Sequence, residues 1–543
     1  MRSKYALNYI PFGPRALLIN WPASICPEIL IDIVALKSTL VHEAILEHVV
    51  AYHSLTLIFH QAQDSFDFWI NYVDEQYQQT KKNPKIEPNI HNIPVCYDPE
   101  LGSDLVALSK EKKMSTVELI REHSARKYLV YFIGFQPGFV YLGGLNPKLH
   151  TPRKSTPSKH VAKGSVAIGG AQTGIYPADA PGGWHVIGRT YLNLFNPSHT
   201  LACKYKSGDF IEFTPISRTE FDLNLEKIQG SANEIKRRKD DAVFKLLKSG
   251  IYSSIQDLGR RGYRALGVVQ SGAMDQISAR LANSLVGNSP SEAVLEITYG
   301  GLQLECLSSC NIVLCGADFS HKKNNLPLEM NKVIGLRRGD LITMGQRKNG
   351  ARTYVAIEFG FDTELIMGSR SYYGPVTGKK RLKDGDLLYQ SKNQICSSEV
   401  PKIQPTVESC GLSKAFDLSH LGKLIDFSIS KTIVLTASPG PEYNTLKDSI
   451  KKSLNQEFTI GANDRMGYLL IERIQNDCPP IYSSAVLPGT VQLTPSGQLI
   501  ILANDGQVTG GYPRVLLVSD QSMCQLSQLI SGQKIRFKIL SIN

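Results

Sequence analysis

No run of eighteen apolar residues, the length that crosses a bilayer as a helix, occurs in the 543-residue sequence. The opening segment MRSKYALNYIPFGPRALLINW puts arginine and proline where a secretory leader needs a continuous apolar stretch, so a cytoplasmic protein is expected. No C-x-x-C pair occurs among the ten cysteines, which argues against a zinc knuckle, a redox dithiol or any resident metal site. The tightest group, Cys306, Cys310 and Cys315, brackets an apolar run and reads as buried thiols. Walker and protein-kinase signatures are also missing, so the chain offers no recognisable phosphate loop of its own.

The formal charge of +11 is spread over short runs such as Arg237-Arg238-Lys239, Lys379-Lys380-Arg381 and Lys451-Lys452. None sits beside a nucleic-acid-binding motif, so the charge predicts no nucleic-acid partner and only attraction for small anions such as carboxylates or nucleotides. Apolar residues at 42% and charged residues at 20% fit a folded chain, and the length exceeds what one core can organise.

Four segments pair a glycine-led turn with alternating apolar positions: SGDFIEF (207–213), RGDLITM (338–344), DGDLLYQ (384–390) and SGQKIRF (531–537). Each predicts a turn entering a half-buried strand. A second echo joins SVAIGGAQTGIYP (165–177) to LIILANDGQVTGGYP (499–513), predicting that Gln172 and Tyr176 face a cleft equivalent to that of Gln507 and Tyr512. Between the two parts, residues 217–241 are polar and highly charged and read as a partly helical linker. Before residue 95, β-like pieces flank a helical stretch at 27–48, giving a small α+β domain. The stretch GFQPGFVYLGGL (134–145) packs four glycines against aromatic residues. It fits no phosphate-loop pattern, and predicts a tight connection between strands whose aromatic residues anchor it.

With these motifs placed, the first part, carrying GFQPGFVYLGGL, TPRKSTPSKHVAKGSVAIGGAQTGIYPADAPGGW and IGRTYLNLFNP, resembles the B subunit of bacterial 5-oxoprolinase, also called the allophanate hydrolase subunit 1 or sporulation kinase inhibitor family. The second, carrying SIQDLGRRGYRALGVVQSGAMDQISARLANSLVGN, LEITYGGLQLE, NDRMGY, GTVQLTPSGQ and NDGQVTGGYP, resembles the C subunit of that enzyme. The resemblance implies a B–C fusion that is mainly β with α+β content. It would comprise a small α+β domain (1–95), a cyclophilin-like domain (96–216), the linker (217–241) and two further cyclophilin-like β-barrel halves (242–395 and 396–543). One departure is HVAKGS, where the family reads valine-proline-alanine-glycine-serine; it introduces Lys163.

The activity implied is opening of the lactam of 5-oxoproline to L-glutamate, with ATP and Mg²⁺ consumed as substrate by an enzyme completed by a separate A subunit. Phosphorylation of the lactam carbonyl oxygen would convert a poor leaving group into a better one. Such a site needs donors for the carbonyl and carboxylate, and carboxylates that hold Mg²⁺ or move protons. The candidates in the first part are His123 as a catalytic group, with Gln136, Gln172, Tyr176, Trp184 and Arg189 binding substrate. In the second part they are Asp257, Asp275, Asp464 and Asp505 as catalytic groups, with Arg260, Ser271, Arg465, Gln507 and Tyr512 binding substrate. Arginine suits a carboxylate, and glutamine or tyrosine a neutral amide.

Each has a structural alternative. Asp257 and Asp275 suit turn or helix caps, Arg465 a buried ion pair, Trp184 a core or pocket wall, and His123 the C-terminal end of a helix. Two other functions are implied by the wider family. One is a carboxyltransferase component of a urea or amide carboxylase, although no Ala-Met-Lys-Met-type biotinylation site occurs. The other is a regulatory module that binds a histidine kinase.

Overall fold

The computed structural model describes residues 5–80, 88–229, 241–378, 381–391 and 432–540. The N-terminal region forms a four-stranded sheet in the order Asn8–Pro11, Ala16–Asn20, Ser54–Phe59, Ile45–Val50, with helices Pro27–Thr39 and Asp67–Thr80. The first helix starts on Pro27, whose missing N–H is an orphan donor there anyway, and buries Ile29, Leu30, Ile33 and Leu36 at helical spacing. Strand Ser54–Phe59 is buried at every position. Its alternation explains why: Leu55, Leu57 and Phe59 join the helix-side core, while Ile58 joins Phe12, Ala16 and Val49 against Ala485 and Leu517 of the C-terminal region. One face of the first sheet is thus covered by its own helices and the other by the far end of the chain.

Strand Ile90–Val95 belongs to the next sheet, where it pairs in parallel with Phe210–Pro215. The expected boundary at 95 therefore falls after a strand that the second region needs, because ladder partners rather than sequence order assign it. That region is a seven-stranded sheet in which Lys127–Ile133, Val140–Gly143, Gln172–Ile175 and Ser165–Gly169 are successive neighbours. Helix Arg218–Gln229 occupies the first half of the expected linker and is docked by Phe221, which is buried beside Arg189 and Tyr191.

The second part opens with a six-stranded and a five-stranded sheet around one core that includes Leu246, Leu295, Leu304, Leu314 and Val355. The expected boundary at 395–396 lies outside the described residues. Residues 433–539 form a closed seven-stranded barrel, sealed where Ile433–Pro439 runs parallel to Lys534–Ile539. Its interior takes alternate side chains such as Leu435, Ala437, Val491, Leu493, Leu499, Ile501, Ile535 and Phe537. The protein is mainly β, as expected, and this last unit is a closed barrel. Among the described residues no helix is long and apolar enough to cross a membrane.

Candidate functional site at the junction of the two parts

The glycine-rich loop lies where the two parts meet. Phe135 takes a positive φ of 66°, the Gln136 N–H donates to the Gly134 carbonyl at 2.7 Å, and the Phe139 N–H donates to the Gln136 carbonyl at 3.0 Å. The Phe139 ring meets Tyr176 and Trp184 edge-on at 5.5 and 5.7 Å and fixes the base of the loop. Its tip reaches across the junction: the Gly138 N–H donates to the Leu266 carbonyl at 2.9 Å, and the Phe135 N–H to Thr509 Oγ1 at 3.3 Å. Gly267 has φ +77°, and a Cβ there would lie 2.2 Å from the Gln136 carbonyl oxygen, so only glycine lets the two backbones approach so closely. Three motifs distant in sequence thus converge.

Beside this contact opens a cleft of about 160 Å³ lined by Pro137, Lys163, Pro177, Asp179 and Phe195 from the first part and Pro375 from the second. Lys163 is exposed on its wall, and its backbone N–H donates to Asp179 Oδ1 at 2.7 Å. A second cavity, about 210 Å³, lies in the second part and is bordered by Ser254, Phe361, Ile366, Arg370, Tyr372 and Tyr389.

Arg260 is bonded to segment 366–371, which borders the second cavity through Ile366 and Arg370. It is 2% exposed, its Nε donates to the Ile366 carbonyl at 3.3 Å and its Nη2 to the Ser371 carbonyl. Burial pulls its guanidinium below the usual arginine range, partly offset by Asp257 and Asp505. The carboxylate of Asp257 is fully used: it accepts from the Gly259 N–H (2.7 Å), Ser369 Oγ (2.6 Å), the Arg370 N–H (2.6 Å) and Ser371 Oγ (2.5 Å). Asp257 therefore clamps loop 369–371, the loop that supplies a carbonyl to Arg260. That is a positioning duty in place of the expected catalytic one.

Behind the junction, Arg465 ties the two halves of the second part together. Its Nε and Nη2 donate to Asp505 at 2.8 and 3.1 Å, its Nη1 to Glu296, and its Nη2 also to the Gly272 carbonyl at 2.7 Å and Ser271 Oγ at 3.3 Å. The two carboxylates hold the Arg465 guanidinium above its ordinary range despite burial. Ser271 is fully buried with φ +56°, an uncommon value for serine, and its Oγ donates to the Tyr372 carbonyl at 3.2 Å. Asp275 caps helix Gln276–Val286, accepting from the Ser278 N–H at 3.0 Å and Ser278 Oγ at 2.6 Å. It also accepts from Gln528 Nε2 at 2.8 Å, and burial pushes its carboxyl up. The structure thus gathers Ser271, Asp275, Arg465 and Asp505 into one region of buried polar contacts.

Other candidates lie elsewhere. His123 is wholly buried, bonded through Nδ1 to the Tyr97 hydroxyl at 2.8 Å and through Nε2 to Thr173 Oγ1 at 2.9 Å, and stacked on Phe213 at 4.7 Å. Burial pulls its pKa down to about 3, which makes it a neutral core histidine and corrects the expected catalytic role. Asp464 is exposed and accepts from the N–H groups of Met466 (2.7 Å) and Gly467 (3.2 Å), so it shapes a turn outside the network. Trp184 and Tyr176 are 5% and 3% exposed and pack beneath Gly169 and Gly182, respectively; they support the loop from the core. Arg189 donates to the Lys163 carbonyl at 2.7 Å and covers Phe221.

The two echoed turns are not equivalent. Gln172 is half-buried and opens a strand paired with Ser165–Gly169, whereas Gln507 precedes a two-residue pairing of Thr509–Gly510 with Ser484–Ala485. Tyr176 is accordingly core, and Tyr512 is 38% exposed. The different spacing in the second copy shifts its tyrosine out of the matching place.

Sequence reasoning missed Glu296, Tyr354 and Gln528. Glu296 is fully buried in Val294–Thr298 and accepts from the Tyr354 hydroxyl at 2.9 Å and the Met274 N–H at 2.8 Å. Its signal was present, a lone acid inside an otherwise uncharged strand run. Gln528, which also accepts from the Ala351 and Arg352 N–H groups, gives none.

Comparison with known proteins agrees with this division into parts. Residues 7–204 match the family model for carboxyltransferase domain, subdomain C and D, and residues 266–539 match that for subdomain A and B. The chain belongs to this carboxyltransferase-domain family. Its second part is 31% identical to the C subunit of 5-oxoprolinase from Escherichia coli K12 over 306 residues, covering 54% of this chain and 90% of that protein. Its first part is 39% identical to the B subunit of 5-oxoprolinase from Bacillus subtilis over 155 residues, 28% of this chain and 65% of that protein. Urea amidolyase of Lachancea kluyveri is 29% identical over 322 residues, 55% of this chain but 17% of the much longer relative. A crystal structure of the protein TTHA0988 superposes with a TM-score of 0.77 at 25% identity, covering 96% of this chain and 99% of that one. One carboxyltransferase-domain chain therefore carries homologues of two 5-oxoprolinase subunits, B first and C second.

Proposed function

We propose that this chain is the B–C component of an ATP-dependent 5-oxoprolinase, opening the lactam of 5-oxoproline to L-glutamate together with a separate A subunit. The observation that carries the reading is the interlock of the GFQPGF loop with Leu266, Gly267 and Thr509, which builds one junction from the homologues of two oxoprolinase subunits. In this reading the junction holds the lactam. Gln136 and Arg260 face it, Asp257 fixes the loop that supports Arg260, and Arg465 with Glu296 and Asp505 fixes the strained Ser271 turn. ATP and Mg²⁺ enter as substrate of the assembled enzyme, and the cytoplasm is its compartment.

The test is reconstitution. The purified chain alone should release negligible glutamate; with the A subunit and ATP, glutamate and ADP should appear in proportion, and omitting ATP should abolish both. Equal production of glutamate and ADP by the chain alone would remove the partner requirement. A second reading, a carboxyltransferase component of a urea or amide carboxylase, is favoured by the family to which both parts belong and by the urea amidolyase match. Carboxylation of urea from a carboxybiotin carrier supplied in trans would put it first.

A further inference from the structure

Several arginines at the seams of this chain have acids of their own. Arg465 holds Glu296 and Asp505, Arg514 pairs with Glu442, and Arg264 lies beside Glu47. A group around Arg15 breaks that pattern. A Cβ on Gly13 would lie 2.2 Å from Leu517 Cδ2, so the turn that leads to Arg15 rests on barrel strand Arg514–Val518. Arg15 meets Asp520 at 3.5 Å. Asp520 opens helix Asp520–Ser527, which packs on helix Gln276–Val286, the helix that carries Arg280. Gln528, just past the first of these helices, fixes the pair by donating to Asp275 at 2.8 Å. Arg261 arrives from a third direction. A Cβ on its neighbour Gly262 would lie 3.8 Å from Leu46 Cδ1, and the Arg264 N–H donates to Glu47 at 2.7 Å, so this segment lies against strand Ile45–Val50 of the first sheet. Phe12, Leu46 and Leu517 belong to one apolar cluster, which holds the sheet and the barrel together here.

Three guanidinium groups thus share one neighbourhood with a single carboxylate. Arg261 and Arg280 make no hydrogen bond or ion pair among the described residues, and the acid that serves Arg15 has a side chain 69% exposed. Their charges act on one another. Loss of hydration pulls the Arg261 guanidinium below its ordinary range, and Arg15 pulls it further against a partial offset from Asp520. Loss of hydration lowers Arg280 likewise, with Arg261 and Arg15 adding to the shift. Two positive charges are left uncompensated, a repulsive arrangement that only an entering anion relieves. The place is open to that anion, since Arg261 and Pro14 are exposed and the Arg15 side chain is 42% exposed. It is also separate from the two cavities, neither of which is lined by any of the three arginines. A dianion matches two uncompensated charges where a monocarboxylate cancels one, and a phosphate has enough oxygens to receive more than one planar guanidinium.

We infer that Arg15, Arg261 and Arg280 form a binding site for a phosphate dianion, free or as the terminal group of a small phosphate ester, where the first sheet, helix Gln276–Val286 and the closed barrel meet. Asp520 keeps its ion pair with Arg15 and holds that side chain in place, while Arg261 and Arg280 donate to the anion. One arginine comes from the first part and two from the second, so the bound anion also ties the parts together. The site does not rest on the oxoprolinase reading.

Calorimetric titration of the purified full-length chain tests this with inorganic phosphate, glycerol phosphate and acetate, the ionic strength held constant with sodium chloride. The two phosphates should bind saturably and acetate about 10-fold more weakly or not at all. Arg261→Gln and Arg280→Gln should each weaken phosphate by about 10-fold or more, the size of a lost charge-assisted hydrogen bond. Phosphate should also raise the urea midpoint of the wild type, and sodium chloride of equal ionic strength should not. Should Arg280→Gln fail to fold, Arg261→Gln, at an exposed position, carries the same comparison. Glycerol phosphate binding more tightly than inorganic phosphate upholds the site and assigns it to an ester; the reverse order upholds it and assigns it to the free ion. Absence of saturable phosphate binding, unaltered affinity in the folded arginine variants, or equal effects of phosphate, acetate and chloride overturns the site.

Discussion

The seam between the two halves of the second part and the seam between the first and second parts both bury polar groups, but they finish them differently. In the first seam, Arg465 has an acceptor for each nitrogen, Glu296 receives from Arg465, Tyr354 and Met274, and Asp275 receives from Ser278 and Gln528, while Arg352 Nε is buried without a partner among the described residues. In the second, backbone contacts are tight around Gln136, Gly138, Leu266 and Gly267, yet Arg260 Nη1 and Gln136 Oε1 end without partners among the described residues. A network whose polar groups are mostly paired holds a structure in one arrangement, and each buried group left unpaired costs stability.

The sharpest way to break the comparison is Arg465→Met. It strands Glu296 and Asp505 without their cation, and should cost about 3–5 kcal/mol of stability, read as a lower urea midpoint. The same change at Arg260 removes no ion pair and should cost markedly less; equal losses at the two sites would erase the distinction. Next in size is Gly267→Ala. Its Cβ would meet the Gln136 carbonyl at a positive φ, so it should destabilise by more than about 1 kcal/mol and abolish lactam binding, with the closed C-terminal barrel unaffected. Unchanged calorimetric binding would show that the loop contact is incidental to the site.

The smallest expected effect concerns Asp275→Asn. Asparagine also caps helices, so near neutral pH the variant should lie within about 1 kcal/mol of the wild type. The pH dependence should differ in sign-defined fashion. Burial raises the folded-state pKa of Asp275 above 3.8, so ionisation costs more in the folded state than in the unfolded chain. Wild-type stability should then lose an increment as pH rises from about 3.8 through that raised value, and Asp275→Asn should lack the increment. Parallel stability–pH curves for the two proteins would show that the seam does not strain this carboxyl.

Much of the architecture was legible because it is written in local periodicity. Glycine-led turns and alternating apolar residues gave the mainly β character, and the aromatic residues of GFQPGFVYLGGL do anchor the loop. Asp275, Ser271, Arg465 and Asp505 were singled out by residue type beside glycine turns, and they do meet. His123 was misread because the sequence shows the end of a helix but not that Tyr97 and Thr173 complete both ring nitrogens and Phe213 covers the ring. Asp464 was misread because an aspartate beside an arginine looks alike whether it faces the network or the solvent.

The sequence by itself determined the β-rich units, the division into two parts and the glycine positions that allow close backbone approach, since these depend on side-chain periodicity and φ preferences within a few residues. Only the tertiary structure decided which polar groups are satisfied. Arg260 and Arg465 are both arginines beside glycine turns, but Arg465 ends against Glu296 and Asp505, whereas Arg260 ends against two carbonyls with its Nη1 left unused among the described residues. Hydrogen-bond completion depends on angles and distances between elements far apart in the chain, and a linear pattern of residue types does not contain them.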